Sequence, residues 1–263
     1  MDKKYKGYFI DLDGTVYAGK KRIPAAKRFI EQLQATQTDF LFVTNNTTKL
    51  PADVVRNLAE NHDIHVSEDN VYTAGLATAD YVAGLAKDGD RTVYIIGEIG
   101  LIQAFLDRGF TLTERNPAFV VVGLDSDVTY HKFELATLAV RRGATFIGTN
   151  PDSNVPNERG MLPGAGSLVE MVAYTTQQRP IYVGKPEPII MENALAEIGL
   201  PKEDVVMVGD NYMTDITAGQ RIGMDTLLVY SGLSTRQQVA KKAKKPTYEI
   251  DSLDDWTLWN GEI

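Results

Sequence analysis

The sequence contains no cysteine. Disulfides, thiolate nucleophiles and cysteine-ligated metals are therefore excluded. Histidine is scarce as well: His62, His65 and His131 are the only three, and their spacing suits no shared metal ion. Basic residues are outnumbered, 27 Lys and Arg against 35 Asp and Glu, for a net charge of −8. A phosphate backbone is bound by basic patches, so no nucleic-acid partner is expected. The one dense basic run, Lys241-Lys242-Ala243-Lys244-Lys245, reads as a solvated helix end. No apolar run is long enough to span a membrane, and no apolar signal region precedes the first strand. A cytoplasmic protein without a membrane partner is expected. No P-loop occurs, and Gly97-Glu98-Ile99-Gly100 falls short of a dinucleotide-binding Gly-x-Gly-x-x-Gly loop. ATP as a phosphoryl donor has no support.

What is present is an ordinary globular composition, 43% hydrophobic and 24% charged over 263 residues, enough for one large or two modest domains. The stretch Tyr8-Phe9-Ile10-Asp11-Leu12-Asp13-Gly14-Thr15-Val16 stands out. Its apolar run predicts a buried strand that ends in two carboxylates one residue apart. Alternation along an extended backbone puts Asp11 and Asp13 on one side. Gly14 permits a tight turn, and Thr15 can hydrogen-bond into it. Two like charges so placed are costly unless a cation or protons offset them. Alone, Asp-Leu-Asp-Gly also reads as a simple turn after a strand.

The rest of the chain alternates strands and helices. Helical spacing runs over 25–33 after Pro24, a strand over 40–43 ends in Thr44-Asn45-Asn46-Thr47-Thr48, and Pro51 opens a helix toward His62. This rhythm predicts a parallel sheet wound with helices. From about Val71 new members follow: strands over 93–96, 119–122 and 145–147, helices over 99–106 and 130–141, a long loop through 149–167, and a helix over 168–174. The first rhythm resumes with a strand at 181–183 ending in Gly184-Lys185-Pro186, and another at 205–208 ending in Gly209-Asp210-Asn211. Trp256 and Trp259 in the tail read as packing residues. The predicted class is α/β: a Rossmann-like parallel-sheet core over 1–72 and 180–263, with a smaller α/β cap domain inserted over 73–179.

In a parallel sheet all carboxyl ends lie on one edge, so Asp11/Asp13, Thr44/Asn45, Lys185 and Asp210/Asp215 can converge although distant in sequence. Two or three carboxylates make a hard oxygen site suited to Mg²⁺, and a lysine adds positive charge. Together with a hydroxyl and an amide, that is equipment for holding a phosphoryl group.

These motifs resemble a known family. Asp11-Leu12-Asp13-Gly14-Thr15-Val16, Thr44, Lys185 and Gly209-Asp210-x4-Asp215 are similar to the four motifs of the haloacid dehalogenase superfamily. Val43-Thr44-Asn45-Asn46, Gly148-Thr149-Asn150-Pro151-Asp152, Pro163-Gly164-Ala165-Gly166-Ser167 and Gly184-Lys185-Pro186 resemble its NagD-type, or p-nitrophenylphosphatase-like, branch. The resemblance spans nearly the whole chain. It implies a Mg²⁺-dependent phosphatase for small phosphomonoesters: sugar phosphates, nucleotides, phosphoglycolate or pyridoxal phosphate. Asp11 would be the nucleophile and Asp13 the general acid and base. Mg²⁺ would be held by the side chains of Asp11 and Asp210 and the carbonyl of Asp13. Lys185 and Thr44, with Asn45 and Asn46, would bind the phosphoryl group, while Thr15, Asn211 and Asp215 support the site. Asn150, Asp152 and nearby Asn154 are candidates for reading the leaving group, with Asp125 behind them, although tight loops also need such residues. A cap-mediated homodimer is compatible with the resemblance. Two alternatives stay open: a phosphotransferase or phosphomutase sharing the aspartyl-phosphate step, and a phospho-ligand sensor without turnover.

Overall fold

The computed structural model describes residues 3–86, 89–157 and 159–258. They divide into two units. The first holds the residues up to Thr44, Ala52–Tyr72 and those from Met191 onward; the second holds Asn45–Pro51 and Thr73–Ile190.

The first unit is built on a six-stranded sheet in the order Tyr248–Ile250, Asp225–Val229, Val205–Gly209, Gly7–Ile10, Asp39–Thr44, Val71–Thr73. Its pairings from Tyr248–Ile250 through Asp39–Thr44 are parallel. Gly7–Ile10 lies near the middle, and all four of its residues are buried, as a near-continuous apolar run in a parallel sheet requires. Ile10 stands opposite Val208 on one side and Phe42 on the other. That register brings Asp11, Thr44 and Asp210 to one edge. Helix Pro24–Ala35 starts on its proline and buries Ala25, Ala26, Phe29, Ile30 and Leu33, a stripe at helical spacing. Each large member of that stripe contributes about 1.5–3 kcal/mol by burial. Trp256 packs edge-on against Tyr248 and donates its indole N–H to the Tyr8 hydroxyl at 3.2 Å, the packing role expected of it. Trp259 lies outside the described residues. The lysine run begins at Lys241, the C-cap of helix Arg236–Ala240, so its start is a helix end.

The second unit has its own five-stranded parallel sheet, in the order Ile181–Tyr182, Thr145–Gly148, Phe119–Val122, Thr92–Ile96, Thr111–Leu112. Helices Tyr130–Arg141 and Ala165–Thr176 supply Ala136, Ala139, Val140, Leu168, Val169 and Val172 to its core. Three features differ from the sequence reading. The strand at Ile181 belongs to this sheet, pairing Ile181 with Ile147 and Tyr182 with Gly148, and not to the sheet of Asp11. The Tyr182 side chain packs on this unit's core and its hydroxyl donates to Glu170 at 3.0 Å, which ties the strand here. The segment expected as one long loop holds an antiparallel hairpin, Asn154–Asn157 with Gly160–Pro163. Its mostly exposed, Asn- and Pro-bearing strands carry no apolar alternation to read. Helix Ala74–Ala86 was not legible either, because its alanines bury small residues on several faces and leave no polar stripe. Among the described residues no helix is long and apolar enough to cross a membrane.

Candidate active site

The Asp11 N–H donates to the Val208 carbonyl at 2.9 Å, so the ladder continues through the first carboxylate before the backbone turns. The Leu12 carbonyl then accepts from Thr15 and Val16, and the Gly14 N–H donates to the Tyr17 carbonyl at 2.6 Å. Gly14 has φ +102°, and a Cβ there would lie 2.5 Å from the Asp210 carboxylate. Both conditions exclude a side chain. We expect Gly14→Ala to destabilise the protein by about 2–4 kcal/mol, combining left-handed strain with overpacking. Urea melts of the variant would check this, and an unchanged midpoint would refute it.

Past the turn, Tyr17–Ala18 and Lys21–Arg22 pair as a short antiparallel hairpin. From its tip the Gly19 N–H donates to Asp13 Oδ1 at 3.2 Å. Asp13 is exposed, whereas Asp11 is 9% exposed and Asp210 and Asp215 are 1% exposed each. The Tyr17 hydroxyl is pushed above its ordinary range by burial first, and then by the charges of Asp13 and Asp11.

Asp210 follows strand Val205–Gly209 and is held from two sides. Thr15 Oγ1 donates to its Oδ1 at 3.2 Å, the Leu233 N–H to its Oδ2 at 2.7 Å. Gly232 makes this approach possible, since a Cβ there would sit 2.0 Å from Asp210 Oδ2. Ser231 Oγ donates to the Gly14 carbonyl at 2.7 Å and ties the segment to the first turn. Asn211 caps the tight π-turn Tyr212–Ile216, its Oδ1 accepting from the Met213 N–H at 2.9 Å. The turn folds Asp215 back so that its Oδ2 accepts from the Asn211 N–H at 3.0 Å.

The result is a cluster in which carboxylate oxygens of Asp11, Asp210 and Asp215 all lie within 4.8 Å of one another. At such separations each pair of anions repels by about 3 kcal/mol or more at an effective dielectric of about 20. Three hard oxygen donors with that repulsion fit a divalent cation of the Mg²⁺ type. Their hydrogen bonds to Thr15, Leu233 and Asn211 aim the carboxylates as an outer shell would. The sequence reading gave Asp215 a supporting role, whereas the structure brings its carboxylate into the cluster. The segment Ser231–Leu233 carried no role in the sequence; its Ser-Gly at a strand end was the available signal.

Thr44 ends strand Asp39–Thr44 of the same sheet and is buried. The remaining predicted residues belong to the second unit. There the Asn45 amide donates to Asp152 Oδ2 at 2.9 Å and to the Lys185 carbonyl at 2.8 Å. Asn150 Nδ2 donates to the Asn45 carbonyl at 2.9 Å, and the Asp152 N–H to Asn150 Oδ1 at 3.1 Å. These contacts form a frame around the backbone of Lys185, whose side chain is 1% exposed. Asn46 Oδ1 accepts from the N–H groups of Thr48 and Lys49, a turn-forming role. Asp125 pairs with Lys132 at 2.8 Å and accepts from the Asp127 N–H, which also serves its own loop.

Comparison with known proteins agrees with this chemistry. A haloacid dehalogenase-like hydrolase family model matches residues 8–111, and a second model of HAD-hydrolase type matches 182–256. The chain is 46% identical to the 5'-nucleotidase YutF of Bacillus subtilis over 97% of its own length and 98% of that protein's. It is also 46% identical to an acid sugar phosphatase of Staphylococcus aureus, covering 96% of this chain and 97% of the relative. A thermostable NPPase from Geobacillus stearothermophilus superposes with a TM-score of 0.91 at 46% identity, covering 98% of this chain and all of the other. NagD from E. coli K-12 gives a TM-score of 0.91 at 31% identity with the same coverage. The chain therefore belongs to the haloacid dehalogenase-like hydrolases, among the phosphatases of the NagD and p-nitrophenylphosphatase type.

Proposed function

We propose that this protein hydrolyses small phosphomonoesters through an aspartyl-phosphate on Asp11, with Mg²⁺ as its cofactor. The observation that carries the reading is the buried Asp11–Asp210–Asp215 cluster, with Asp13 two residues along the same turn. Bound there, Mg²⁺ would supply positive charge that offsets repulsion between a carboxylate nucleophile and an anionic ester. Asp11 attacks phosphorus with a carboxylate oxygen, and the ester oxygen departs. Asp13 gives that oxygen a proton, then takes one from the water that cleaves the acyl phosphate. The hydrogen bond from Gly19, at the hairpin tip, holds the exposed Asp13 in the turn that precedes the hairpin, in keeping with exchange of its proton. Thr44 and Lys185 are assigned to the transferring oxygens, by hydrogen bond and by charge.

Relatives named 5'-nucleotidase and acid sugar phosphatase support a small phosphorylated metabolite as substrate, a nucleotide or a sugar phosphate. Asn45, Asn150 and Asp152 serve this reading by fixing the Lys185 backbone.

Phosphate release from p-nitrophenyl phosphate tests the proposal. It should require Mg²⁺ and fall to background, about 10³-fold or more, with a chelator. Activity untouched by chelation would remove the metal from the reaction. No release from folded, metal-loaded protein across a panel of metabolite phosphates would move the protein to a binding role.

A further inference from the structure

The first unit also buries a histidine that the chemistry above does not use. His62, the last residue of helix Pro51–His62, is 3% exposed, and neither of its ring nitrogens has a hydrogen-bond partner among the described residues. Unpaired buried nitrogens cost stability, and what the ring does make is a face-to-face contact. It lies flat on Tyr17, with centroids 4.5 Å apart and ring planes 14° apart. Burial, aided by the nearby charge of Arg22, holds its pKa below the usual histidine range. At neutral pH the ring is an uncharged flat plate.

That plate presses on the hairpin that carries the Asp13 contact. Tyr17 opens the hairpin, pairs with Asp13 in an isolated bridge and accepts from the Gly14 N–H. Two residues on, Gly19 donates to Asp13 Oδ1. On the return strand the Arg22 guanidinium donates to the carbonyl of Asn61, the neighbour of His62. The end of one helix thus grips both strands, one by stacking and the other by hydrogen bond. The hairpin in turn orients the carboxylate.

We propose that His62 is a positioning residue for proton transfer at Asp13, acting through the stack on Tyr17 and the Gly19 hydrogen bond. This inference rests on the proposed role of Asp13 as acid and base. A misaligned acid slows departure of a poor leaving group more than that of a good one. The ratio of kcat/KM values for glycerol phosphate and p-nitrophenyl phosphate reads this directly, because kcat/KM stops at the first transfer and nitrophenolate leaves without a proton.

The experiment compares wild type with His62→Leu, His62→Phe and Asp13→Asn on both esters. His62→Leu keeps the volume and loses the plate; it should lower the glycerol phosphate to nitrophenyl phosphate ratio by about 10-fold. His62→Phe keeps the plate, so it should hold the wild-type ratio and melt at or above the wild-type temperature. Should His62→Leu fail to fold, Tyr17→Leu breaks the same stack and must reproduce the bias. If Asp13→Asn shows the leaving-group bias and the stack variants do not, the role of His62 is overturned while that of Asp13 stands. If Asp13→Asn shows no bias, the reading of Asp13 falls and takes this inference with it. A Phe variant as biased as the Leu variant would also overturn it.

Discussion

Asp11→Asn is expected to reduce phosphomonoester hydrolysis by about 10⁴-fold or more, the scale seen when a covalent nucleophile is removed. The amide is close in shape to the carboxylate and keeps one oxygen, so the strand end, the Gly14 turn and the ladder bond from Asp11 to Val208 should survive. What disappears is a charged oxygen able to attack phosphorus. Without metal the variant should therefore melt at or above the wild-type temperature, because one anion of the repelling set is gone, while releasing almost no phosphate. Rapid-quench measurement of covalently bound phosphate separates the possibilities further, since only the wild type should accumulate an acid-stable phosphoenzyme. Activity within tenfold of wild type would transfer the nucleophile's role elsewhere.

The second large effect is expected at Asp210. The three buried carboxylates repel one another, and a cation bound only by the folded state stabilises it by about 2.7 kcal/mol at a concentration of 100 times Kd. Wild type should therefore show a rise in Tm with Mg²⁺. Asp210→Asn keeps the side chain's size against Gly14 and Gly232, where no space is left for anything larger. It removes one charged oxygen of the group proposed to hold Mg²⁺, so the Mg²⁺-dependent rise in Tm should vanish and turnover should fall by about 10²–10³-fold. Calorimetry with and without Mg²⁺ checks this independently of catalysis. An undiminished metal-induced shift would place the cation away from Asp210.

Both variants touch residues that are legible in the sequence. An apolar run ending in Asp11-Leu12-Asp13-Gly14 and another ending in Gly209-Asp210 announce themselves because strand burial and turn chemistry are local. The rule that parallel strands share one carboxyl edge then brings Asp11, Thr44 and Asp210 together without knowledge of side-chain positions. Most helices were readable for the same reason: Pro24 and Pro51 mark starts, and Phe29, Ile30 and Leu33 mark a buried face.

Other features depended on partners distant in sequence. The two-residue strand Ile181–Tyr182 has too few side chains to declare its sheet; pairing with Ile147 and Gly148 and the Tyr182–Glu170 bond decide it. Asp215 enters the carboxylate cluster because a π-turn capped by Asn211 folds it back, and such a turn leaves no period in the sequence. Asn45, Asn150 and Asp152 look alike as loop residues, and only their hydrogen bonds show them bracing Lys185. His62 ends an ordinary amphipathic helix, and nothing local places its ring on Tyr17, 45 positions earlier in the sequence. The sequence by itself determined the α/β class, the strand-end acids and the family, because these follow from local periodicity and motif order. The tertiary structure decided which sheet each short strand joins and which polar groups meet, because those choices arise from contacts between segments far apart along the chain.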